Sequence, residues 1–93
     1  MIVRKEENNM RRWNPNGKLR KIVISNVKYY REKSNMSQEE LSLKLKRKSD
    51  FIKRLEENKT RVEPTVILID EIADVLNIST QYLITERNND NEL

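Results

Sequence analysis

Residues 37–59, SQEELSLKLKRKSDFIKRLEENK, open as a helix and then meet three cations in a row. Ser37 offers an N-cap hydroxyl and Glu40, three residues on, completes a capping box, so a helix start at about Gln38 is well marked. Leu41 and Leu45 follow one turn apart, and apolar residues resume at Phe51, Ile52 and Leu55. Between the two groups stand Lys46, Arg47 and Lys48. Projected on one helix, Leu41, Ile52 and Leu55 fall within about 40° of one another and Leu45 joins them, so the period allows a single long rod. Lys48 would then lie on the buried seam. Ser49 and Asp50, which favour helix starts, would sit in a helix interior. A bend at 46–48 moves the cations outward and gives Lys48 or Ser49 the first position of a new helix. Local physics favours the bend weakly, and the fold depends on which shape forms.

The rest of the chain reads as helices too. Asn14-Pro15-Asn16-Gly17 is a turn signal. After it, Ile22, Val23, Val27 and Tyr30 mark one face of a first helix that runs to about Ser34, with Asn35 able to take the left-handed cap conformation. Pro64 fits the first turn of another helix, whose stripe is Val66, Ile69, Ile72, Ala73 and Leu76 and whose end is Asn77. Ser79 caps a short last helix carrying Tyr82, Leu83 and Ile84. No repeat or strand pattern is present. Residues 1–17 read as a basic flexible arm and 87–93 as a disordered polar tail, leaving 18–86 as one domain.

Composition removes several kinds of function. The 93 residues include no cysteine and no histidine, which excludes disulfides, thiolate sites, imidazole metal ligands and imidazole-activated nucleophiles. Gly17 is the only glycine, so no phosphate-cradling loop can be written, and no paired carboxylates stand at catalytic spacing. Neither a catalytic residue, a metal site nor a cofactor is expected. No apolar run reaches the length of a membrane span, and the opening MIVRKEENNMRR lacks a signal peptide's apolar core, so a soluble, cytoplasmic protein is expected. Up to Arg61 there are 18 basic and 8 acidic residues, a balance of +10; from Val62 onward there are one and seven, a balance of −6. Such a surplus attracts polyanions, nucleic acid first among them, although a merely solvated lysine-rich surface accounts for the charge equally well.

The ordered set Ser37-Gln38-Glu39-Glu40-Leu41, Leu45, Ile52-Lys53-Arg54-Leu55-Glu56, Lys59 and PTVILIDEIADVLNIS from Pro64 resembles the helix-turn-helix family of phage lambda and related repressors, the Cro or XRE type. The likeness runs from about Val23 to Ile84. It implies an all-α, compact five-helix DNA-binding domain with the helix-turn-helix at the second and third helices, and it therefore implies the bend. The family usually has glycine where Lys46 stands, because the turn uses positive φ, and a non-glycine there costs on the order of 1 kcal/mol. It usually has a buried aliphatic where Arg47 stands; Arg47 must snorkel outward, or Leu43 must contribute more to the core. The loop from Asn58 to Pro64 is longer than the common family version.

The resemblance also implies a site. A recognition helix over about 48–57 would enter the major groove, with Lys48, Ser49, Asp50, Phe51, Lys53 and Arg54 meeting base edges. Phe51 serves equally well as a ring supporting Ile52. Gln38, Lys44, Lys46, Arg47, Lys59, Thr60 and Arg61 would contact the DNA backbone, Gln38 as a phosphate clamp at a helix N-terminus. Arg31 and Glu56 match a structural ion pair of relatives. Arg4, Lys5, Arg11, Arg12, Lys18, Arg20 and Lys21 place charge ahead of the domain, for an arm that wraps DNA or stays free. One such helix reads few base pairs, so a homodimer on double-stranded DNA is expected, with Ile67, Leu68, Tyr82, Leu83 and Ile84 as the dimer contact. The function implied is a small transcriptional repressor. The rival is an antitoxin or other interaction module on the same fold, whose partner is a toxin or antirepressor. A membrane-surface segment is disfavoured, because the first helix has few large apolar residues outside its core face.

Overall fold

Five helices and their connections occupy residues 17–87, the part of the chain that the structure, a computed structural model, describes. They are α1 (Lys18–Lys33), α2 (Gln38–Lys44), α3 (Phe51–Glu56), α4 (Val66–Leu76) and α5 (Thr80–Ile84), with no strand among the described residues. Of the expected turn at 14–17 and arm over 1–17 only Gly17 lies among them, and of the expected disordered tail over 87–93 only Arg87, which is held by hydrogen bonds to Asn26 Oδ1 and Ser25 Oγ.

Each helix forms because one narrow apolar face meets the same centre. Val23 and Val27 of α1, Leu41 of α2, Ile52 and Leu55 of α3, Ile72 of α4 and Leu83 of α5 are fully buried together, with Leu45 from the turn beside them. The principal packing pairs are α1 with α5 and α2 with α3. A buried Asn26 fastens the first pair: its amide donates to the carbonyls of Leu83 (2.9 Å) and Thr85 (3.0 Å), and its Oδ1 accepts from Arg87 (2.8 Å). The arrangement is that of a lambda-repressor-like helix-turn-helix domain.

The first four helices end by one device. Asn35, Lys46, Asn58 and Asn77 have φ of 57°, 62°, 59° and 59°, the left-handed region. At each, the residue's own N–H and the next one reach back to the preceding turn: Asn35 to Glu32 and Met36 to Arg31, Asn58 to Leu55 and Lys59 to Arg54, Asn77 to Asp74 and Ile78 to Ala73. These are Schellman closures, and asparagine supplies three because its short polar side chain tolerates positive φ.

Two expectations shift. Pro64 precedes the fourth helix instead of opening it, because Thr65 takes the N-cap and its Oγ1 accepts from the Leu68 N–H at 3.2 Å. With the helix starting at Val66, the buried stripe is Leu68, Ile69, Ile72, Ala73 and Leu76, and Val66 points to solvent. Leu83 alone of the last helix's apolar residues is buried.

Candidate nucleic-acid interface

The question raised by residues 37–59 is resolved at Lys46. Ser37 caps α2 through its Oγ, which accepts from the Glu40 N–H at 2.9 Å. The helix stops after Lys44, and Leu45 is its C-cap. Lys46 then turns left-handed: its N–H donates to Leu43 O at 2.9 Å and that of Arg47 to Ser42 O at 3.0 Å. This is the same closure the asparagines make elsewhere, carried out by a lysine. Arg47 stays exposed, with its guanidinium 4.7 Å above the centre of the Phe51 ring. Leu43 is exposed as well, so it adds nothing to the core in place of the missing aliphatic.

The segment 48–50 forms a tight turn, with the Phe51 N–H donating to Lys48 O at 2.9 Å. The helix itself spans Phe51–Glu56, shorter than the expected 48–57, because Asp50 is the N-cap and Glu57 the C-cap.

Two buried polar groups fix α3 against its neighbours. Ser42, fully buried, donates from Oγ to Gln38 O at 2.8 Å and accepts from the Ile52 N–H at 2.9 Å. A helix start has N–H groups with no acceptor of its own, and this hydroxyl satisfies one while setting the α2 to α3 distance. Glu56 accepts from Arg31 Nε at 2.7 Å, from a second Arg31 nitrogen at 3.0 Å and from Gln38 Nε2 at 2.8 Å. Arg31 also donates to Met36 O at 2.8 Å. One carboxylate thus joins α1, α2 and α3. The Gln38 side chain expected at a phosphate has one amide hydrogen committed to Glu56, while its backbone N–H stands in the first turn of α2.

The outward surface of this pair is cationic. Lys46, Arg47, Lys48, Ser49, Asp50, Lys53 and Arg54 are exposed and Phe51 is half-buried. Beyond α3, Lys59 and Arg61 are exposed and Thr60 is half-buried; Arg54 donates to Lys59 O at 3.2 Å, and Lys59 lies 3.6 Å from Glu57. Lys44 and Lys46 border a cleft of about 180 Å³ whose other wall holds Glu71, Asp74 and Val75 of α4. Their field is therefore partly offset, whereas Lys48, Lys53 and Arg54 stand away from that acidic wall.

Three expected or overlooked residues need correction. Leu68 and Leu83 are only 3% and 0% exposed, so neither can serve as a dimer contact; they are core residues that single-helix patterning could not separate from their neighbours. Ile67 (72%), Tyr82 (54%) and Ile84 (44%) are exposed, together with Val66 (76%). Arg20, read as a charge of the arm, is a buried residue of α1. Its Nε donates to Asn58 Oδ1 at 2.8 Å and its two terminal nitrogens to Val62 O at 3.0 Å and Thr60 O at 2.6 Å, with Glu63 3.6 Å away. Nothing local marks that role, since every partner is about 40 residues along the chain. Ser42 carried a weak signal: a helical serine four residues after Gln38 can bond back to its carbonyl.

Two short helices, the second crossing the first after a tight turn and presenting an exposed polar face, make a helix-turn-helix. The chain belongs to the helix-turn-helix family whose model, described as Helix-turn-helix, matches residues 27–83. A solved structure described as a hypothetical transcription factor, NHTF, from Neisseria is similar at a TM-score of 0.69 and 18% identity, over 85% of this chain and 87% of that one. No curated protein matches. Among the described residues, no group of three metal-ligating side chains is placed to hold an ion, and no helix is long and apolar enough to cross a membrane.

Proposed function

We propose that the chain is a sequence-specific double-stranded DNA-binding transcriptional repressor of the Cro or XRE type, acting as a homodimer in the cytoplasm. The observation that carries this reading is the closure at Lys46. It ends α2 and leaves Lys48, Ser49, Asp50, Lys53 and Arg54 exposed on one short turn and helix, braced from behind by Ser42 and Glu56. With α3 in the major groove, Arg54 or Lys48 donates to guanine and Asp50 accepts from a cytosine amine or holds a neighbouring cation. Phe51, capped on one ring face by Arg47, offers its free edge to a thymine methyl. Gln38, Lys44, Lys46, Arg47, Lys59, Thr60 and Arg61 set the register on phosphates. The Neisseria structure's description as a hypothetical transcription factor supports the same direction. The dimer contact, on this reading, uses Ile67, Tyr82 and Ile84 with Val66.

Selection from a random duplex library at near-physiological salt, followed by anisotropy titration of the winner and a scrambled duplex, tests the proposal. A two-fold symmetric winner bound roughly a thousandfold or more above scrambled DNA is expected. Equal binding of both, falling steeply with salt, removes the regulator reading and turns the search to a toxin or antirepressor as partner.

A further inference from the structure

The connection from Glu57 to Thr65 carries Lys59, Thr60 and Arg61, yet it has no regular structure and few apolar anchors; Val62 within it is exposed. Besides local bonds from Arg54 to Lys59 O and from the Val62 N–H to Thr60 Oγ1, both 3.2 Å, what holds it comes from the other end of the domain. The Arg20 side chain, 4% exposed, crosses from the first turn of α1 and gives one nitrogen each to Asn58 Oδ1, Thr60 O and Val62 O, with Glu63 closing the cluster. A planar guanidinium reaches acceptors on three alternate residues in a fixed fork, which a lysine cannot do. Burying a cation is costly unless it is fully paired, and here three of its hydrogen bonds go to one loop. The result is geometric: Thr60 and Val62 carbonyls are held inward while the Lys59 and Arg61 side chains remain exposed. Asn58, the first acceptor, is also the left-handed residue that closes α3, so the fork ties the loop to the end of the recognition helix.

We infer that Arg20 is a positioning residue for DNA binding: buried and away from the duplex, it orders the 58–63 loop so that Lys59 and Arg61 meet backbone phosphates in register with α3. The inference rests on the DNA reading above and adds to it a residue that touches no DNA.

The test uses the full chain, the selected duplex and a scrambled one, titrated across salt at conditions where circular dichroism shows each variant folded. Each lost phosphate contact lowers the salt slope by about 0.9. Arg20→Gln is expected to lower it by about 1 to 2 per protomer and to weaken both duplexes by the same factor, since phosphates carry no sequence information. In a Lys59→Ala, Arg61→Ala background, Arg20→Gln is expected to leave the slope unchanged. Arg20→Lys, which keeps the charge and loses the fork, is expected to behave as Arg20→Gln does. Restoration of wild-type affinity and slope by Arg20→Lys, or an equal drop in both backgrounds, overturns the inference. Should Arg20→Gln not fold, the wild-type chain still decides through NMR order parameters: values near 0.85 across 59–62 are expected, and values below about 0.6 overturn it. A wild-type chain that binds neither duplex with any salt dependence defeats the DNA reading instead, and does so before any variant is made.

Discussion

Lys46 holds a conformation that three asparagines hold elsewhere in the same domain, and it has no short side chain to ease it. A left-handed lysine carries a steric cost of about 1–2 kcal/mol, of which glycine would recover part after losing more conformational freedom on folding. Lys46→Gly is therefore expected to stabilise the domain by about 0.5–1 kcal/mol, read as a rise in Tm of roughly 3–6 °C. A lower Tm would mean that the lysine side chain contributes more at the α4 cleft than its backbone costs. Ser42 makes the opposite case, since its hydroxyl is the acceptor for a buried Ile52 N–H. Ser42→Ala strands that N–H, and the expected loss is about 1–3 kcal/mol, seen as a lower urea midpoint at unchanged slope. An unchanged midpoint would show that water or a shifted turn takes over the bond.

At the scale of the helices, the Arg31, Glu56 and Gln38 cluster is a polar junction that joins α1, α2 and α3. Glu56→Gln leaves the buried Arg31 guanidinium with the exposed Glu32, 3.7 Å away, as its remaining counter-charge, and breaking a buried pair costs about 3–5 kcal/mol, a large share of the few kcal/mol by which a domain this size is stable. Replacing both partners by methionine is expected to cost less than the two single changes summed, and urea titrations of the three variants measure the difference. Additive losses would show that the two side chains act independently. These elements also show what a sequence discloses. Ser37, Asn35 and Asn77 announced their helix ends because capping is local chemistry between residues a turn apart. Whether the chain bends at 46–48 is only weakly decided locally, because a rod and a bend share the same apolar spacing and Lys48, Ser49 and Asp50 alone argue for the turn; the resemblance to known repressors adds the weight. Leu68 takes the core place expected of Val66 because the helix begins at Val66, which leaves that first residue at the exposed edge, while Ile69, Ile72, Ala73 and Leu76 are buried as their spacing predicts. Arg20 was illegible for a different reason: its acceptors, the Thr60 and Val62 carbonyls and the Asn58 amide, are brought near only by the fold.

Across the whole molecule, the charge imbalance and the exposed apolar residues have to be satisfied together. Val66 and Ile67 stand in the first turn of α4, while Tyr82 and Ile84 lie on α5, whose first residue, Thr80, donates to Asp70 of α4 at 2.8 Å. A two-fold interface is self-complementary, so a patch on one protomer can meet a different patch on the partner, and the reverse contact follows from symmetry. On the dimer proposed above, Val66 and Ile67 of each protomer meet Tyr82 and Ile84 of the other. Tyr82 is already oriented for such a role, its ring stacked on Tyr30 at 5.8 Å and still more than half exposed. Ile67→Asp and Tyr82→Asp would each bury an unpaired carboxylate at both symmetric contacts, and each is expected to weaken dimerisation at least about tenfold. Because both act on one interface, combining them adds little, and binding to a half-site duplex stays at the wild-type level while binding to the two-fold operator falls. Sedimentation velocity over a concentration series, paired with titration of the two duplexes, separates the cases. If Ile67→Asp disrupts the dimer and Tyr82→Asp does not, the pairing of the two patches is wrong and the contact lies at the α4 N-terminus alone.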